Sequence, residues 1–343
     1  MKKIMPALLA AAVLVTGCAR EVPVYQTDVF AMDTLMTVKF SGGNETLLEQ
    51  VREEIHRFEK LWDVNDEKSD IYRLNHSHGE KTAVSEETAF LTARALELSA
   101  RTEGALDISI YPVLRAWGFT TGQYEVPDSR TLSELLNKVD YRQIVVDGQH
   151  RTVQVPEGMM LDPGAVAKGF TGDRLCELPR ENGVSSALLN LGGNVQALGG
   201  KPDGSAWRVA VKDPQHPDEI VCTLEIRDRA VITSGSYERY FVGKDGKTYW
   251  HILDPATGYP ADKGLLSVTI IGENGLECDA LSTALFVMGK DGAMTYCREH
   301  PQMEAVLIDS DRRLYLTEGL LGIAEPSEGM EHTVISRQGS DGT

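Results

Sequence analysis

The stretch SALLNLGGNVQALGG, residues 186–200, sets the pattern on which the fold of this chain is predicted. An apolar run typical of a strand stops at Gly192-Gly193-Asn194. Consecutive glycines allow a ligand or another strand to approach the backbone closely, and a β-bulge needs the same residues. The stretch therefore predicts a strand that ends where another group comes close to the glycine backbone. It leaves open whether that group belongs to a ligand or to another strand of the chain.

The segments around this stretch extend the same pattern. Further strand-like runs occur at QIVVD, TVQV, WRVAVKD, SVTIIG, AVLIDS and RLYLTE, and over residues 28–40. Apolar residues at helical spacing predict helices over residues 44–62, 85–103, 164–178 and 279–289. Separate strand and helix runs predict an α+β fold, a two-lobed domain over residues 28–325 with mixed or antiparallel sheets and flanking helices. A doubly wound nucleotide fold is disfavoured, because no G-x-G-x-x-G follows the first strand and no P-loop occurs.

The first twenty residues, MKKIMPALLAAAVLVTGCAR, predict an export signal. Lys2 and Lys3 precede an apolar run that is too short to span a bilayer. The run ends in Val15-Thr16-Gly17-Cys18, which resembles the lipobox of bacterial lipoproteins. We therefore expect a signal peptide over residues 1–17, a lipid on Cys18 and a linker over residues 18–27; the alternative is an ordinary signal peptide with an incidental cysteine. The expected location is periplasmic or on the outer face of the cytoplasmic membrane, anchored to the membrane through the lipid.

The net charge restricts the classes of partner. The formal charge of the whole chain is −17, and loss of Lys2 and Lys3 with the signal would take it to −19. Nucleic acid is excluded as a partner of such a surface. An anionic substrate would also be repelled unless a bound cation or the N-terminus of a helix compensates locally.

The remaining cysteines and the C-terminal segment predict no chemistry of their own. Cys176, Cys222, Cys278 and Cys297 show no C-x-x-C spacing and are expected to be small buried apolar residues, although an exported location would allow a disulfide. Residues 326–343 are polar and rich in glycine and serine, and they predict a loosely ordered tail.

The segment MLDPGAVAKGF, residues 160–170, predicts the start of a helix that could receive phosphate. Asp162 is placed to cap the helix and Pro163 suits its first turn. Capping alone explains these two residues, but it does not explain the small residues Gly164 and Ala165 followed by Lys168. A bare helix start beside a lysine is typical of a phosphate site.

The segment ECDALSTALFVMG, residues 277–289, predicts a metal site. Asp279 and Thr283 are four residues apart, so a helix places both on one face. Their neighbours are apolar and expected to be buried. Oxygen ligands with few carboxylates suit Mg²⁺, with Ca²⁺ as the alternative, and Mg²⁺ accompanies substrate phosphates. The competing interpretation is that Asp279 is an acidic first-turn residue and Thr283 has no special role.

Two further segments carry candidate polar residues. HILDPATGYP, residues 251–260, combines His251, Asp254 and a rigid turn, which could be a catalytic pair or only a strand end followed by a turn. In GALDISIYPVLRAWGF, residues 104–119, Asp107 is ambiguous, and the aromatic pair of Trp117 and Phe119 favours core packing over ligand binding.

Taken together and in order, these motifs resemble the FAD:protein FMN transferases, the ApbE family. The resemblance covers nearly the whole chain after the signal and rests on M-D-T (32–34), SDIYRLN (69–75), LD…P…WGF (106–119), LDPGAVAKGF (161–170), NLGGN (190–194), TSGSYERYF (233–241), HILDPATGYP (251–260) and CDALSTALFVMG (278–289). One position departs from the family pattern, since the usual M-G-T is Met32-Asp33-Thr34 in this chain.

The resemblance implies a Mg²⁺-dependent enzyme that cleaves FAD, its substrate, and joins FMN through a phosphoester to a Thr or Ser hydroxyl of an acceptor protein, with release of AMP. The acceptors it implies are membrane redox subunits or exported flavoproteins. The metal is expected at Asp279, Thr283 and the backbone carbonyl of Ala165, and the chemistry at His251 and Asp254. FAD is expected along Met32, the loop after Trp62, Asp107, Asp162, Lys168, Gly192, Gly193, Asn194, Ser234 and Leu253.

The hydroxyl of an acceptor is a poor nucleophile until a base removes its proton. An ordinary histidine titrates near neutrality, so His251 is the natural candidate, while Asp254 could orient it or act in its place. Two other functions stay open: an exported FAD pyrophosphatase, in which water replaces the acceptor, and a lipoprotein that binds flavin without turnover. The intact polar residues argue against the second, because a pure binder has no use for a base beside a metal.

Overall fold

The computed structural model describes residues 22–337, so Cys18 and the predicted signal peptide lie outside the described residues. Within that range the α+β prediction is confirmed. The helices are α1 Glu45–Trp62, α2 Asp70–Asn75, α3 Glu86–Arg101, α4 Tyr111–Ala116, α5 Ser129–Leu136, α6 Gly164–Glu181 and α7 Gly275–Glu299. None of the helices in the described part of the chain is both long enough and apolar enough to cross a membrane.

The strands are short except for those of the central sheet. They are β1 Val24–Ala31, β2 Thr34–Ser41, β3 Lys81–Ala83, β4 Val145–Asp147, β5 Thr152–Gln154, β6 Ser186–Leu191, β7 Asn194–Leu198, β8 Trp207–Lys212, β9 Ile220–Ile226, β10 Ala230–Gly235, β11 Tyr240–Val242, β12 Thr248–Trp250, β13 Leu265–Gly272, β14 Glu304–Asp309, β15 Leu314–Thr317, β16 Ala324–Pro326 and β17 His332–Ile335.

The central sheet has nine strands in the order β1-β2-β6-β7-β10-β13-β14-β15-β17. Its pairs are antiparallel except for β15 with β17, which is parallel, so the sheet is mixed as predicted. Three small sheets accompany it, in the orders β16-β9-β8, β3-β5-β4 and β11-β12.

The core lies on both faces of the central sheet. On one face α1 and α7 bury apolar side chains, such as Ile55 against β2 and Phe286 against β13. On the other face β8 and β9 bury residues such as Val209 and Leu224. Because both faces of the sheet are covered, its strands are apolar along nearly their whole length, and for this reason they can be predicted from the sequence.

Local signals in the sequence explain where the helices begin. Asn44 and Ser85 cap α1 and α3, each accepting a hydrogen bond from a backbone N–H three residues later. Helix α7 begins at Gly275 behind the cap Asn274, four residues before the predicted start, and continues to Glu299. It is interrupted at Gly289, where φ is 77° and the backbone is not helical.

The expectation of one strand over residues 28–40 is wrong. The chain reverses at Met32 and Asp33, whose φ angles of 49° and 60° form a two-residue turn, and β1 pairs with β2 in register from Ala31 and Thr34 onward. The alternation of apolar and polar residues continues through the turn, and for this reason the sequence hides it.

Both predicted boundaries of the domain are also displaced. Strand β1 starts at Val24, inside the predicted linker of residues 18–27. The expectation of a loose tail after Glu325 is wrong for residues 326–337, because β17 joins the central sheet beside β15 and its Ile335 is buried. A four-residue strand is too short to give a clear periodic signal among polar neighbours.

Candidate functional site

A cavity of about 550 Å³ opens where the starts of α6 and α7, the β1–β2 turn and the segment after β12 meet. This volume suits a small-molecule ligand. The lining includes these predicted residues: Met32, Trp62, Asp107, Asp162, Ala165, Lys168, Gly192, Asn194, Ser234, His251, Leu253, Asp279 and Thr283. The structure thus brings together side chains that are up to about 250 positions apart in the sequence. Of the predicted residues within the described range, Gly193 and Asp254 do not line the cavity.

Helices α6 and α7 are locked together at a glycine. A side chain on Gly169 would place its Cβ 2.2 Å from the carbonyl oxygen of Gly275, so only glycine allows this approach. The N–H of Gly169 donates to Asp279 Oδ2 at 2.8 Å, and its carbonyl accepts from Gln196 Nε2 at 2.9 Å. The carboxylate of Asp173 receives the N–H groups of Gly275 and Leu276. These bonds fix the position of Asp279 relative to α6.

Asp279 is a buried carboxylate at the cavity wall, with 4 % of its surface exposed. Burial raises its pKa above the ordinary value, while the charge of Lys168 and the N–H of Gly169 act in the opposite direction. The neighbouring Asn194 is also buried; its side chain lowers the pKa of Asp279, although Nδ2 does not reach full hydrogen-bond geometry with any acceptor. A buried amide nitrogen without a full hydrogen bond is unusual, and this one leaves a donor that a ligand in the cavity could use.

Thr283 stands on the same face of α7, and its Oγ1 lies 3.2 Å from Ser234 Oγ. Ser234 Oγ also lies 2.8 Å from Ser282 Oγ, so the end of β10 is tied to this helix by hydroxyl groups. The part of the chain described by the structure contains no cluster of three or more His, Cys, Asp or Glu side chains that could hold a metal. One carboxylate, one hydroxyl and the backbone at Ala165 fit Mg²⁺, which takes remaining ligands from water and substrate phosphates.

The start of α6 is less bare than the sequence predicts. Pro163 occupies the capping position, and Asp162 Oδ1 already accepts the N–H of Gly164 at 2.7 Å. Asp162 is fixed from the other side, since its own N–H donates to Ile108 O at 2.8 Å. Burial raises the pKa of Asp162. One of the free N–H groups of the helix is therefore satisfied within the chain, and Lys168 is the remaining feature that favours an anion here.

The glycine pair of the opening stretch forms the turn between β6 and β7. Gly192 and Gly193 have φ angles of 64° and 94°, as a two-residue hairpin turn requires. A side chain at Gly192 would place its Cβ 2.2 Å from Thr34 Oγ1, so the close approach that the sequence left open is made by strand β2. Gly192 still lines the cavity, because the turn and β2 meet at its edge.

His251 is held by elements other than α6 and α7, at the base of the β11–β12 hairpin and before the turn that follows it. Its Nδ1 is 3.3 Å from Arg239 O, and because a carbonyl can only accept, we assign the proton to Nδ1 and the free lone pair to Nε2. Burial lowers the pKa of His251 to about 3, assisted by the charges of Arg239 and Lys168. The imidazole is therefore neutral at pH 7 and can accept a proton.

The structure does not bring Asp254 onto His251. Asp254 Oδ2 pairs with Lys263 Nζ at 2.8 Å, and Oδ1 accepts from the N–H of Ala256 at 2.9 Å. The carbonyl oxygen of Asp254 accepts from the N–H of Gly258 at 2.7 Å, closing the turn. The buried Trp117 holds the same turn by donating from Nε1 to Gly258 O at 2.7 Å. Asp254 and the aromatic pair thus maintain the shape of the turn from beneath.

Two other predicted residues, Trp62 and Asp107, also line the cavity. Trp62 stacks on Phe58 at 4.9 Å between ring centroids and donates from Nε1 to Thr88 Oγ1. Both carboxylate oxygens of Asp107 are used within the chain, by Ser109 and by the N–H of Tyr141. Burial raises the pKa of Asp107. All four remaining cysteines are free and buried, as expected from their spacing.

Sequence reasoning missed Arg239 and Asp173. Arg239 lines the cavity and donates from Nη2 to Phe119 O at 2.7 Å. The segment TSGSYERYF contains this arginine as its only basic residue, directly before β11, and that was the available signal. Asp173 lies in the middle of α6, and no sequence pattern indicates that it receives the start of α7.

Comparison with known proteins places the chain in a family. The model of the ApbE family matches residues 32–307. A FAD:protein FMN transferase of Treponema pallidum is 35 % identical over 293 residues, covering 80 % of each chain. One of Klebsiella pneumoniae is 32 % identical over 297 residues, covering 86 % of this chain and 92 % of the relative.

Solved structures agree with this placement. The crystal structure of the ApbE protein of Thermotoga maritima superposes with a TM-score of 0.81 at 33 % identity, covering 87 % of this chain and 98 % of that chain. The flavin transferase ApbE of Vibrio cholerae gives a TM-score of 0.79 at 25 % identity, covering 88 % of this chain and 99 % of that chain.

Proposed function

Because the chain belongs to the ApbE family, we infer that it is an FAD:protein FMN transferase, the activity that names its relatives. The enzyme takes FAD as substrate and a protein as flavin acceptor. The observation that carries the chemistry is that one cavity is lined by a buried carboxylate, Asp279, a neutral imidazole, His251, and two cationic side chains, Lys168 and Arg239. An acidic chain that binds a pyrophosphate needs such local positive charge.

We propose that the acceptor hydroxyl, from a Thr or Ser, attacks the phosphorus of the FMN half of FAD. A P–O bond to the acceptor oxygen forms, the P–O bond to AMP breaks, and AMP leaves with the bridging oxygen. His251 Nε2 takes the proton of the hydroxyl. In the ligand-free protein His251 is a weak base, because burial lowers its pKa to about 3, assisted by the charges of Arg239 and Lys168. The pyrophosphate of bound FAD offsets these charges, which raises the basicity of His251 when the substrate is present.

Asp279, Thr283 and the carbonyl of Ala165 would hold Mg²⁺, with the unsatisfied Asn194 amide beside it. The ion supplies charge neutralisation to the phosphates and to the leaving AMP. The residues of the chain contribute the rest: Lys168 offsets phosphate charge, and the bond from Gly169 keeps the carboxylate of Asp279 at the cavity wall.

The location and the acceptor complete the proposal. We propose that Cys18 carries a lipid, which would hold the enzyme at the outer face of the cytoplasmic membrane or in the periplasm, among membrane redox subunits and exported flavoproteins that could serve as acceptors. Cys18→Ala should leave the protein soluble or unprocessed with catalysis intact. Unaltered membrane fractionation of that variant would exclude the anchor.

One incubation tests the activity itself. Purified protein is mixed with FAD and Mg²⁺, with and without a membrane fraction from host cells in which its gene is deleted. A covalently fluorescent protein band with equimolar AMP is the expected result. Free FMN and AMP in equal yield with and without the membrane fraction would show a pyrophosphatase instead. Unchanged FAD under both conditions would show a flavin-binding protein without turnover.

A further inference from the structure

The hairpin of β11 and β12 stands beside the cavity and joins no other sheet within residues 22–337. It begins directly after Arg239 and ends directly before His251, and both of these residues line the cavity. The N–H of His251 donates to Arg239 O at 3.0 Å, which closes the base of the hairpin. The hairpin therefore extends outward from the end of the site at which the acceptor hydroxyl must arrive.

The outer edge of β11 presents unpaired backbone groups. The N–H of Gly243 donates to Lys247 O at the tip, as that of His251 donates to Arg239 O at the base. Bonded and non-bonded pairs alternate along an antiparallel ladder. Tyr240 and Val242 are therefore non-bonded positions that direct their N–H and C=O groups away from β12. In the described part of the chain no other strand takes up these groups.

The two residues whose backbone forms this edge, Tyr240 and Val242, carry exposed, largely apolar side chains. Tyr240 is 54 % exposed and Val242 is 62 % exposed. The opposite face is fixed to the protein, because Phe241 stacks on Tyr249 at 5.6 Å and on Tyr124 at 5.0 Å between ring centroids. Proteins usually protect a free edge with charge, proline or a covering element. A rigid, apolar and uncovered edge is instead the template that an added peptide strand uses.

The charge of the hairpin is opposite to that of the whole chain. The chain carries a formal charge of −17. From residue 239 to 251 the hairpin carries Arg239 at its base and Lys244 and Lys247 at its tip, against one acid, Asp245, with a second acid, Glu238, immediately before it. Asp245 is already engaged, since it accepts from the hydroxyl of Tyr249 at 2.7 Å. An acidic segment is therefore attracted to this hairpin while the rest of the surface repels it.

We propose that the edge of β11 docks the acceptor: an extended acceptor segment adds as a third strand beside Tyr240 and Val242 and delivers its serine or threonine hydroxyl to His251. The proposal rests on the flavin transfer proposed above. Because Arg239 and His251 close the base of the hairpin, the hydroxyl is carried beyond the residue that lies beside Tyr240, on the side of that base. The other end of the segment carries acidic side chains, which face Lys244 and Lys247.

A matched pair of proline variants tests the edge. Val242 and Thr248 are register partners, and each directs its backbone groups away from the other strand. Val242→Pro removes an N–H from the proposed docking edge, and Thr248→Pro removes one from the opposite edge, while both leave the bonds between β11 and β12 in place. The variants therefore disturb the hairpin equally and differ in which edge they block.

The assay is covalent labelling of the membrane fraction with flavin, read as fluorescent bands. We expect Val242→Pro to label about tenfold more slowly at limiting acceptor, and Thr248→Pro to label as the unaltered protein does. Both variants should bind FAD with unchanged affinity, read by flavin fluorescence. Equal labelling rates for the two variants, whether both fast or both slow, would overturn the docking edge. No labelling by the unaltered protein would overturn the transfer itself, and the docking edge with it.

The charge of the occupant is tested separately with Lys244→Glu combined with Lys247→Glu. These exposed tip residues are remote from the cavity, so FAD affinity should be unchanged. Labelling should slow several-fold at low ionic strength, and added salt should slow the unaltered protein more than the variant. Labelling that is insensitive both to the double substitution and to salt would exclude an acidic acceptor segment.

Discussion

The elements that hold Asp279 and the elements that hold His251, two parts of the cavity wall, are built differently. At the Asp279 end, two long helices meet at Gly169, and backbone groups, a buried amide and two carboxylates are bonded to one another. At the His251 end, the chain consists of a turn and a hairpin of three-residue strands whose outer edge is unpaired. The comparison teaches that the elements which must hold charge in fixed geometry are bonded to one another, apart from the Asn194 amide, whereas the elements which must receive a second protein keep their backbone available.

Asp279→Ala is expected to have the largest effect. Transfer should fall by roughly 10³-fold or more, because the charge on the phosphates and on AMP would be left without compensation. FAD affinity should weaken in Mg²⁺ buffer and change little in EDTA, since metal and FAD then no longer bind cooperatively. The measurement is titration of FAD into both proteins in both buffers.

Asp279→Asn is the control for folding, because an amide oxygen can still accept the N–H of Gly169. It should keep the thermal stability of the unaltered protein and lose transfer. If the unaltered protein binds FAD equally well with and without Mg²⁺, the metal site is not at this end of the cavity.

His251→Ala should lower the transfer rate by about 10²–10⁴-fold, the scale expected for one general base. FAD affinity should be nearly unchanged, because a base acts on the acceptor proton and contributes little to binding of the ground state. Single-turnover transfer at saturating FAD measures the rate. Asp254→Asn is the matched comparison: it should cost less than about tenfold in rate, because Asp254 supports the turn. A slow Asp254→Asn enzyme with a fast His251→Ala enzyme would reverse the two roles.

Gly169→Ala should destabilise the fold by about 1–3 kcal/mol, the usual cost of overpacking a rigid contact. The added Cβ would meet Gly275 O and Asp279 Cβ, and neither can move without displacing α7. Thermal unfolding gives the loss, with Gly148→Ala as control, since no atom lies within 4 Å of its Cβ and it should change stability little. A stable Gly169→Ala protein would show that the α6–α7 junction is looser than its hydrogen bonds indicate.

Acid should destabilise the His251 end. The pKa of His251 is about 3 in the folded protein and near 6.5 when unfolded, so the unfolded chain binds more protons between these values and stability falls as the pH drops through this range. Between pH 7 and pH 5 the unaltered protein should lose about 1–2 kcal/mol more than His251→Gln. Asp173, with a pKa of about 6, acts in the opposite direction in both proteins and cancels in the difference. Parallel pH profiles for the two proteins would mean that His251 is not desolvated.

The sequence predicts one end of the site better than the other, and for a physical reason. The placement of Asp279 and Thr283 on one face follows from helical spacing alone, because residues four positions apart on a helix share a face. The partners of Asp279 lie on α6 and β7, and no local pattern connects Gly169 or Gln196 to it. Sequence proximity was also misleading in HILDPATGYP, where Asp254 is three residues from His251 but faces Lys263.

The fold shows the same limit. Long helices and buried strands were visible because their periodicity extends over many residues, as in α1 and β13. The turn at Met32 and Asp33 was hidden because Met is not a usual turn residue at positive φ, and Asp33 alone is a weak signal within an alternating run. The strand β17 was hidden because its pairing with β15 is parallel and depends on chain that precedes it by about 18 residues. Such features are decided by tertiary contacts and not by local composition.

The interruption of α7 at Gly289 connects this helix, through one residue, to the turn that follows His251. A Cβ at position 289 would lie 2.2 Å from the Cβ of Lys263, and the N–H of Lys290 donates to Lys263 O at 3.0 Å. The same Lys263 holds Asp254 in the turn after His251. In evolutionary terms, positions 254, 263 and 289 should covary. A lineage that replaced the glycine would have to move the lysine and would then lose the turn, so these positions should change together or not at all.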